Sequence, residues 1–175
     1  IIIATEELGG GTSNRSGSDK QTYYKLSLFG DGPDSVYEMA KTLFAGGCMH
    51  GDIALTEATM SAQEFYHLVH IGVPFPHNHF GGYVGYKTDH DPRQRATSAG
   101  PWTSNQMFEK LLGQVCAKGI EILDRHEVVS LITKDICDER RVIGAIAFNK
   151  ALINSGLGAL VFFQAENIVM GTGGP

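Results

Sequence analysis

Apolar side chains recur along this chain with two different periods. The run Ile1-Ile2-Ile3-Ala4 predicts a strand over Ile1 to Thr5. From Asp31 to Phe44 the positions Val36, Met39, Ala40 and Leu43 fall at helical spacing, with Asp34 placed to cap the helix and Gly46 to end it. Asp52 to Thr59 predicts a short helix. Ser61-Ala62-Gln63-Glu64 then reads as a capping box for another, running through Ile71 with Gly72 at its end. Residues 73–101 carry Pro, Gly, His and charge without periodicity and predict a long loop. Thr103-x-x-Gln106 is a second capping box, Met107, Leu111, Leu112, Val115 and Cys116 form the apolar face of the helix behind it, and Gly119 stops it.

Beyond Gly119 the pattern becomes that of strands. Short apolar segments cover Gly119 to Leu123, Glu127 to Thr133, Arg141 to Phe148, Ala159 to Ala165 and Asn167 to Gly171. The three middle segments follow one another through short turns, one of them KDICDER, and predict an antiparallel meander. The last is almost wholly apolar, as suits a parallel strand covered on both faces. The expected class is therefore α/β, a parallel sheet with helices and a small three-stranded antiparallel meander.

Composition narrows this further. With 175 residues, 42% hydrophobic and 19% charged, the chain is long enough for a packed core. A net charge of -5 argues against a nucleic-acid partner, and no apolar run is long enough to span a membrane. Cys48, Cys116 and Cys137 are far apart and odd in number, which reads as free thiols in a cytoplasmic compartment. The chain opens inside a strand-like run without an initiator Met and closes on VMGTGGP. It is expected to be a piece of a longer protein, with exposed strand edges at Ile1 to Ile3 and Ile168 to Met170 through which the piece would self-associate.

The chemistry is concentrated in glycine. In GGGTSNRSGSDKQ, Gly9 to Gln21, eight of thirteen residues are Gly, Ser or Thr, directly after the first predicted strand. Such a loop offers backbone N–H groups and hydroxyls, with Arg15 and Lys20 adding positive charge, and is suited to phosphate. A plain surface loop is the alternative. The closing GTGGP follows a second apolar run. Two glycine loops at the carboxyl ends of strands in one parallel sheet make a dinucleotide crevice, although no GxGxxG is present.

Five segments in order carry a resemblance. GGGTSNRSG, HIGVPF, RATSAGPWTSNQMFEKLL, RVIGAIAFN and AENIVMGTGGP resemble the serine-rich loop, the segment before the substrate loop, the Arg-containing segment leading to a helix, a meander strand and the closing strand with its glycine turn in the flavoprotein subunit of succinate dehydrogenases and fumarate reductases. The resemblance covers nearly the whole chain. It implies a partial, Rossmann-like FAD-binding sheet, FAD as cofactor, and hydride transfer between flavin and a small, dicarboxylate-like substrate. It further implies FAD contacts at Gly10, Gly11, Thr12, Ser13, Ser16, Gly17 and Ser18, at Val128 and Val129 on the first meander strand, and at Thr172, Gly173 and Gly174 in the closing turn.

The same resemblance implies an organisation. Residues 1–72 and 102–124 form the sheet and helix part of one FAD-binding domain, 73–101 a substrate-side loop, 125–166 the meander, and 167–175 the closing strand and turn. Arg95, and next to it Arg93, are the expected ligands of a substrate carboxylate, because a guanidinium forks onto a carboxylate; a solvated loop charge is the alternative. Three departures matter. The loop lacks the histidine that attaches FAD covalently in membrane-bound members, since the first histidine is His50, so FAD is expected to be non-covalent. Glu6 and Glu7 stand near, but not at, the strand end where the family has its ribose-binding acid. The catalytic histidine and arginine are expected beyond Pro175, leaving no catalytic residue here. An electron donor or iron-sulfur partner would serve the whole protein.

A second reading is a non-enzymatic α/β module that binds a ligand or metal through His77, His79, His90, Asp89 and Asp91, with His67 and His70 on one helix face. No HExxH or cysteine pair supports it. No GxSxG supports serine chemistry either.

Overall fold

The computed structural model describes residues 1–18, 21–30 and 32–173, without the side chains of 155–157. The chain divides into two compact units, one of residues 1–15 and 115–175, the other of residues 16–114. In the first unit β1 (Ile2–Ala4) is followed by the single turn α1 (Thr12–Arg15). The second holds β2 (Tyr23–Tyr24), α2 (Val36–Ala45), α3 (Gly51–His70) and β3 (Ala96–Thr97). The last helix, α4 (Thr103–Ala117), returns the chain to the first unit. There β4 (Glu121–Leu123), β5 (His126–Ile136), β6 (Glu139–Asn149), a 3-10 stretch (Lys150–Ala159) and β7 (Leu160–Gln164) complete it.

In the first unit β1 pairs parallel with β4, Ile2 opposite Glu121 and Ala4 opposite Leu123. The meander forms as its short connecting turns predict, in the order β5-β6-β7. Its strands are longer than the apolar segments, because Cys137 and Asp138 both take positive φ (49° and 65°) and close a two-residue hairpin between Ile136 and Glu139. Small residues are buried on its central strand, Ala145 and Ala147, as is Ala159 at the end of the 3-10 stretch. Gly144 is bare because β7 lies against it, and a Cβ there would overlap the carbonyl oxygen of Phe163. The predicted strand at 167–171 does not form. An apolar run becomes a strand only where a ladder is open to it, and this one pairs with no described residue: Val169 is 95% and Met170 64% exposed. Ile1 and Ile2 are exposed as well.

In the second unit, the two helices expected between 52 and 71 are one. Ala54, Ala58, Ser61, Phe65 and Leu68 form a single buried stripe along α3. Within it the Ser61 hydroxyl donates back to the Ala58 carbonyl (2.9 Å) and accepts from the N–H of Leu26 (3.2 Å), so it caps nothing. The core gathers Phe65, Leu68, Val73 and Phe75, with Tyr23, Tyr83 and Met107 packed around them. Lys25 lies within it, 0% exposed, its ammonium 4.9 Å from the centre of the Phe65 ring and 3.4 Å from the carbonyl oxygens of Leu26 and Tyr83. Burial pushes its pKa below the ordinary lysine value.

Two outcomes follow. Gly144→Ala should destabilise the protein by about 3 kcal/mol, because the obstacle is backbone rather than a movable side chain; the shift of the denaturant midpoint measures it. Lys25 keeps its proton less well folded than unfolded, so stability should rise with pH between its lowered folded value and about 10.4. Lys25→Met should abolish that slope and add about 1 kcal/mol at pH 7, as read from unfolding curves at several pH values.

Candidate functional site

The glycine loop leaves β1 through two hydrogen bonds to the segment around β4: the N–H of Thr5 donates to Leu123 O (3.0 Å) and that of Leu8 to the Asp124 carboxylate (2.7 Å). Gly9 turns at φ 73°, Gly10 N–H donates to Glu7 O, and α1 begins at Thr12. Asn14 and Arg15 N–H groups return to the Gly11 carbonyl, the Asn14 amide donates to Gly9 O, and Arg15 pairs with Glu7. Thr12 and Ser13 are exposed. The glycines are not equivalent. A Cβ on Gly10 would meet the Glu7 side chain at 2.9 Å, whereas one on Gly11 would meet nothing within 4 Å. Gly11 is therefore the place where bare backbone faces open space.

Ser16, Gly17 and Ser18 belong to the other unit, and they are held by the start of α4. Val128 and Val129 lie on β5, 47% and 48% exposed. Between them and Ser130 the ladder slips: Val128 is opposite Ala147 and Ser130 opposite Ile146, leaving Val129 in a bulge. Thr172 and Gly173 are exposed and irregular, Gly173 at φ 78° with nothing within 4 Å of its Cβ position; Gly174 lies outside the described residues.

The two arginines differ sharply. Arg95 is 0% exposed. Its Nε and Nη2 fork onto the Asp34 carboxylate at 2.8 and 2.6 Å, and its Nη1 donates to Asp91 (3.2 Å), Thr42 Oγ1 (3.0 Å) and the Tyr24 hydroxyl (3.2 Å). This guanidinium is enclosed by its own chain and is not available to a substrate carboxylate. Asp34, expected to cap α2, is taken by Arg95 instead, and Ser35 caps the helix through the N–H of Glu38. Arg93 is nearer the surface, 30% exposed, and grips both oxygens of Glu38 at 3.0 and 3.1 Å.

Charge shifts follow from this packing. Burial alone would raise the Asp34 pKa, but Arg95 and the N–H groups of Ser27 and Ser35 hold it below the usual carboxylate range. Burial, and then its hydrogen bond with Asp91, push the Tyr24 hydroxyl up to about 12. Sequence reasoning missed Tyr24, Asp34 and Asp91 as partners of Arg95. The spacing of Asp91 and Arg95, four residues apart in a loop rather than a helix, was the available signal. Tyr24, Thr42 and Asp91 also line a groove of about 540 Å³ with Lys41, Thr88 and His90, and none of the residues expected to hold cofactor borders it.

The histidine loop does not converge. His77 Nδ1 lies 3.0 Å from Asn78 O and its ring meets Tyr83 edge-on, while His79 stacks on Phe80. Among the described residues no three His, Cys, Asp or Glu side chains come together as a metal site, and no helix is long and apolar enough to cross a membrane.

The family model described as FAD binding domain matches residues 1–175 of this sequence. The chain belongs to the FAD binding domain family. No curated protein matches it. Among solved structures it is similar to a quinol-fumarate reductase with menaquinol (20% identity, TM-score 0.76) and to a mutated E. coli quinol fumarate reductase FrdA (21%, 0.74), covering 99% of this chain and 28% of each of those. It is also similar to a 3-ketosteroid-delta4-(5alpha)-dehydrogenase of Rhodococcus jostii in complex with 4-androstene-3,17-dione, at 17% identity and TM-score 0.66, over 94% of this chain and 38% of that one. The α/β fold is thus that of FAD-binding flavoproteins, and the chain spans under a third of the fumarate reductases.

FAD is the cofactor of the family, and the residues present fit it. The open face at Gly11 and the bulge at Val129 are backbone of the kind a pyrophosphate or a base edge approaches. They recur in the unit that also carries Thr172 and Gly173.

Arg95→Met would leave two buried carboxylates facing each other and should cost about 3–5 kcal/mol, measured by chemical denaturation. Asp34 has a depressed folded pKa, so its stabilisation is complete above about pH 4 and is lost as pH falls through the folded value. Asp34→Asn should flatten that acid limb.

Proposed function

We propose that this chain is part of an FAD-dependent oxidoreductase acting as fumarate reductases and succinate dehydrogenases do, on a small, dicarboxylate-like molecule. The family match over all 175 residues carries the reading. When bound, FAD accepts or delivers a hydride at the flavin ring. The work of this chain is to hold and orient it: Gly10, Gly11, Thr12 and Ser13 along the pyrophosphate, Ser16, Gly17 and Ser18 behind them, Val128 and Val129 at the adenine, and Thr172 to Gly174 at the closing turn. FAD is held non-covalently, since the loop has no histidine to bond it.

Arg93 is the remaining candidate for a substrate carboxylate, because its head reaches the surface while that of Arg95 does not. The catalytic groups and the electron donor lie outside these 175 residues, in the cytoplasm. Self-association through the apolar edges at Ile1 to Ile3 and Ile168 to Met170 belongs to the same reading. The steroid complex among the similar folds is the reason to keep the substrate class broad.

The test is the visible spectrum of the full-length protein before and after acid precipitation. Flavin bands that pass into the supernatant are the expected result. Colour kept in the pellet would overturn the non-covalent assignment, and a protein that stays colourless with added FAD would overturn the function.

A further inference from the structure

The second half of the glycine loop is fastened to the first turn of α4 at three points. The side chain of Gln21 bridges the two: its amide nitrogen donates to the Ser16 carbonyl (2.9 Å) and hydroxyl (3.2 Å), and its amide oxygen accepts from the N–H of Ser104 (3.1 Å). The N–H of Ser18 donates to Pro101 O (2.9 Å). The ring of Trp102 lies against Gly17 so closely that a Cβ there would stand 2.7–2.9 Å from three ring carbons. Gly17 is therefore bare to admit this chain's own indole, not to leave room for a ligand.

We propose that Gln21 and Trp102 are positioning residues for the cofactor loop. They fix the path of Ser16 to Ser18 from the start of α4, so that α4, rather than the loop's own sequence, sets how the loop meets FAD. This rests on the flavoprotein reading above. A loop of Gly and Ser has many backbone states, and ordering it only on binding would weaken affinity. A bridge and a ring that hold it beforehand remove that loss.

Two substitutions separate positioning from folding. Gln21→Glu keeps an acceptor for Ser104 at the helix N-terminus and replaces the donor to Ser16 with a carboxylate oxygen that the Ser16 carbonyl repels. Gly17→Ala puts a methyl where the half-exposed ring of Trp102 now lies and so displaces it. FAD affinity of the full-length apoprotein is read by titration, together with its melting temperature without FAD. Losing the amide's two bonds to Ser16 should weaken FAD about fivefold in Gln21→Glu. Displacing the ring should weaken it about tenfold in Gly17→Ala, with apoprotein melting unchanged in both. Trp102→Phe should bind close to wild type. Gly17→Ala combined with Trp102→Ala should bind no worse than Trp102→Ala alone.

Wild-type affinity in both single variants overturns the proposal. So does a loss of affinity that merely tracks a fall in apoprotein melting, since that would make the clamp a matter of stability. A wild-type protein that takes up no FAD overturns the flavoprotein reading itself, and the proposal with it.

Discussion

The guanidinium of Arg95 is the constraint on which the second unit depends. One cation is shut away with two carboxylates, Asp34 and Asp91, none of the three side chains more than 4% exposed. A buried charge cannot be left without partners, so the segments that carry these residues have little freedom to move apart. Asp34 brings the entrance of α2, Thr42 its body, Tyr24 strand β2, and Asp91 the long loop itself. The pairing of Tyr24 with Ala96 and the bond from Lys25 N–H to Arg95 O sit directly beside the cluster. This is why a stretch with no hydrophobic period, residues 73–101, takes one defined path.

The same interaction explains part of what was not legible in the sequence. An arginine in a polar loop reads as a solvated charge or as a ligand for an anion, and nothing local says that Asp34, 61 residues away, will enclose it together with Asp91 of its own loop. Asp34 looked like a cap because caps are local, and it lost that role to a partner 61 residues away. Ser61 failed in the same manner. Its capping box is a valid short-range signal, but the stripe from Ala54 to Leu68 buries far more surface through one helix than through two. Where a local preference met a buried tertiary partner, the partner won.

What short apolar runs joined by short turns determine was read well: the three runs of the meander became strands, and both of its ladders formed between neighbours in sequence. The exception is 167–171, where apolar content promised a strand but offered no edge to pair with among the described residues. Composition supplies the wish for burial; a ladder has to be supplied by the rest of the fold.

Glycine marks the same limit at the candidate site. The loop was legible as a glycine loop, yet its glycines are bare for different reasons. Gly144, outside the loop, yields to a strand carbonyl, Gly17 to an indole, and Gly10 to the Glu7 side chain, while only Gly11 of these opens onto free space. Sequence cannot separate a glycine that admits a ligand from one that admits its own chain, because both are written with the same letter and both sit in turns. The distinction needs the neighbour, and the neighbour of Gly17, Trp102, lies 85 residues on at the head of a helix. A glycine-rich loop is thus a statement about available backbone. Which part of that backbone a cofactor can reach is decided by the helix and strand ends that already occupy the rest.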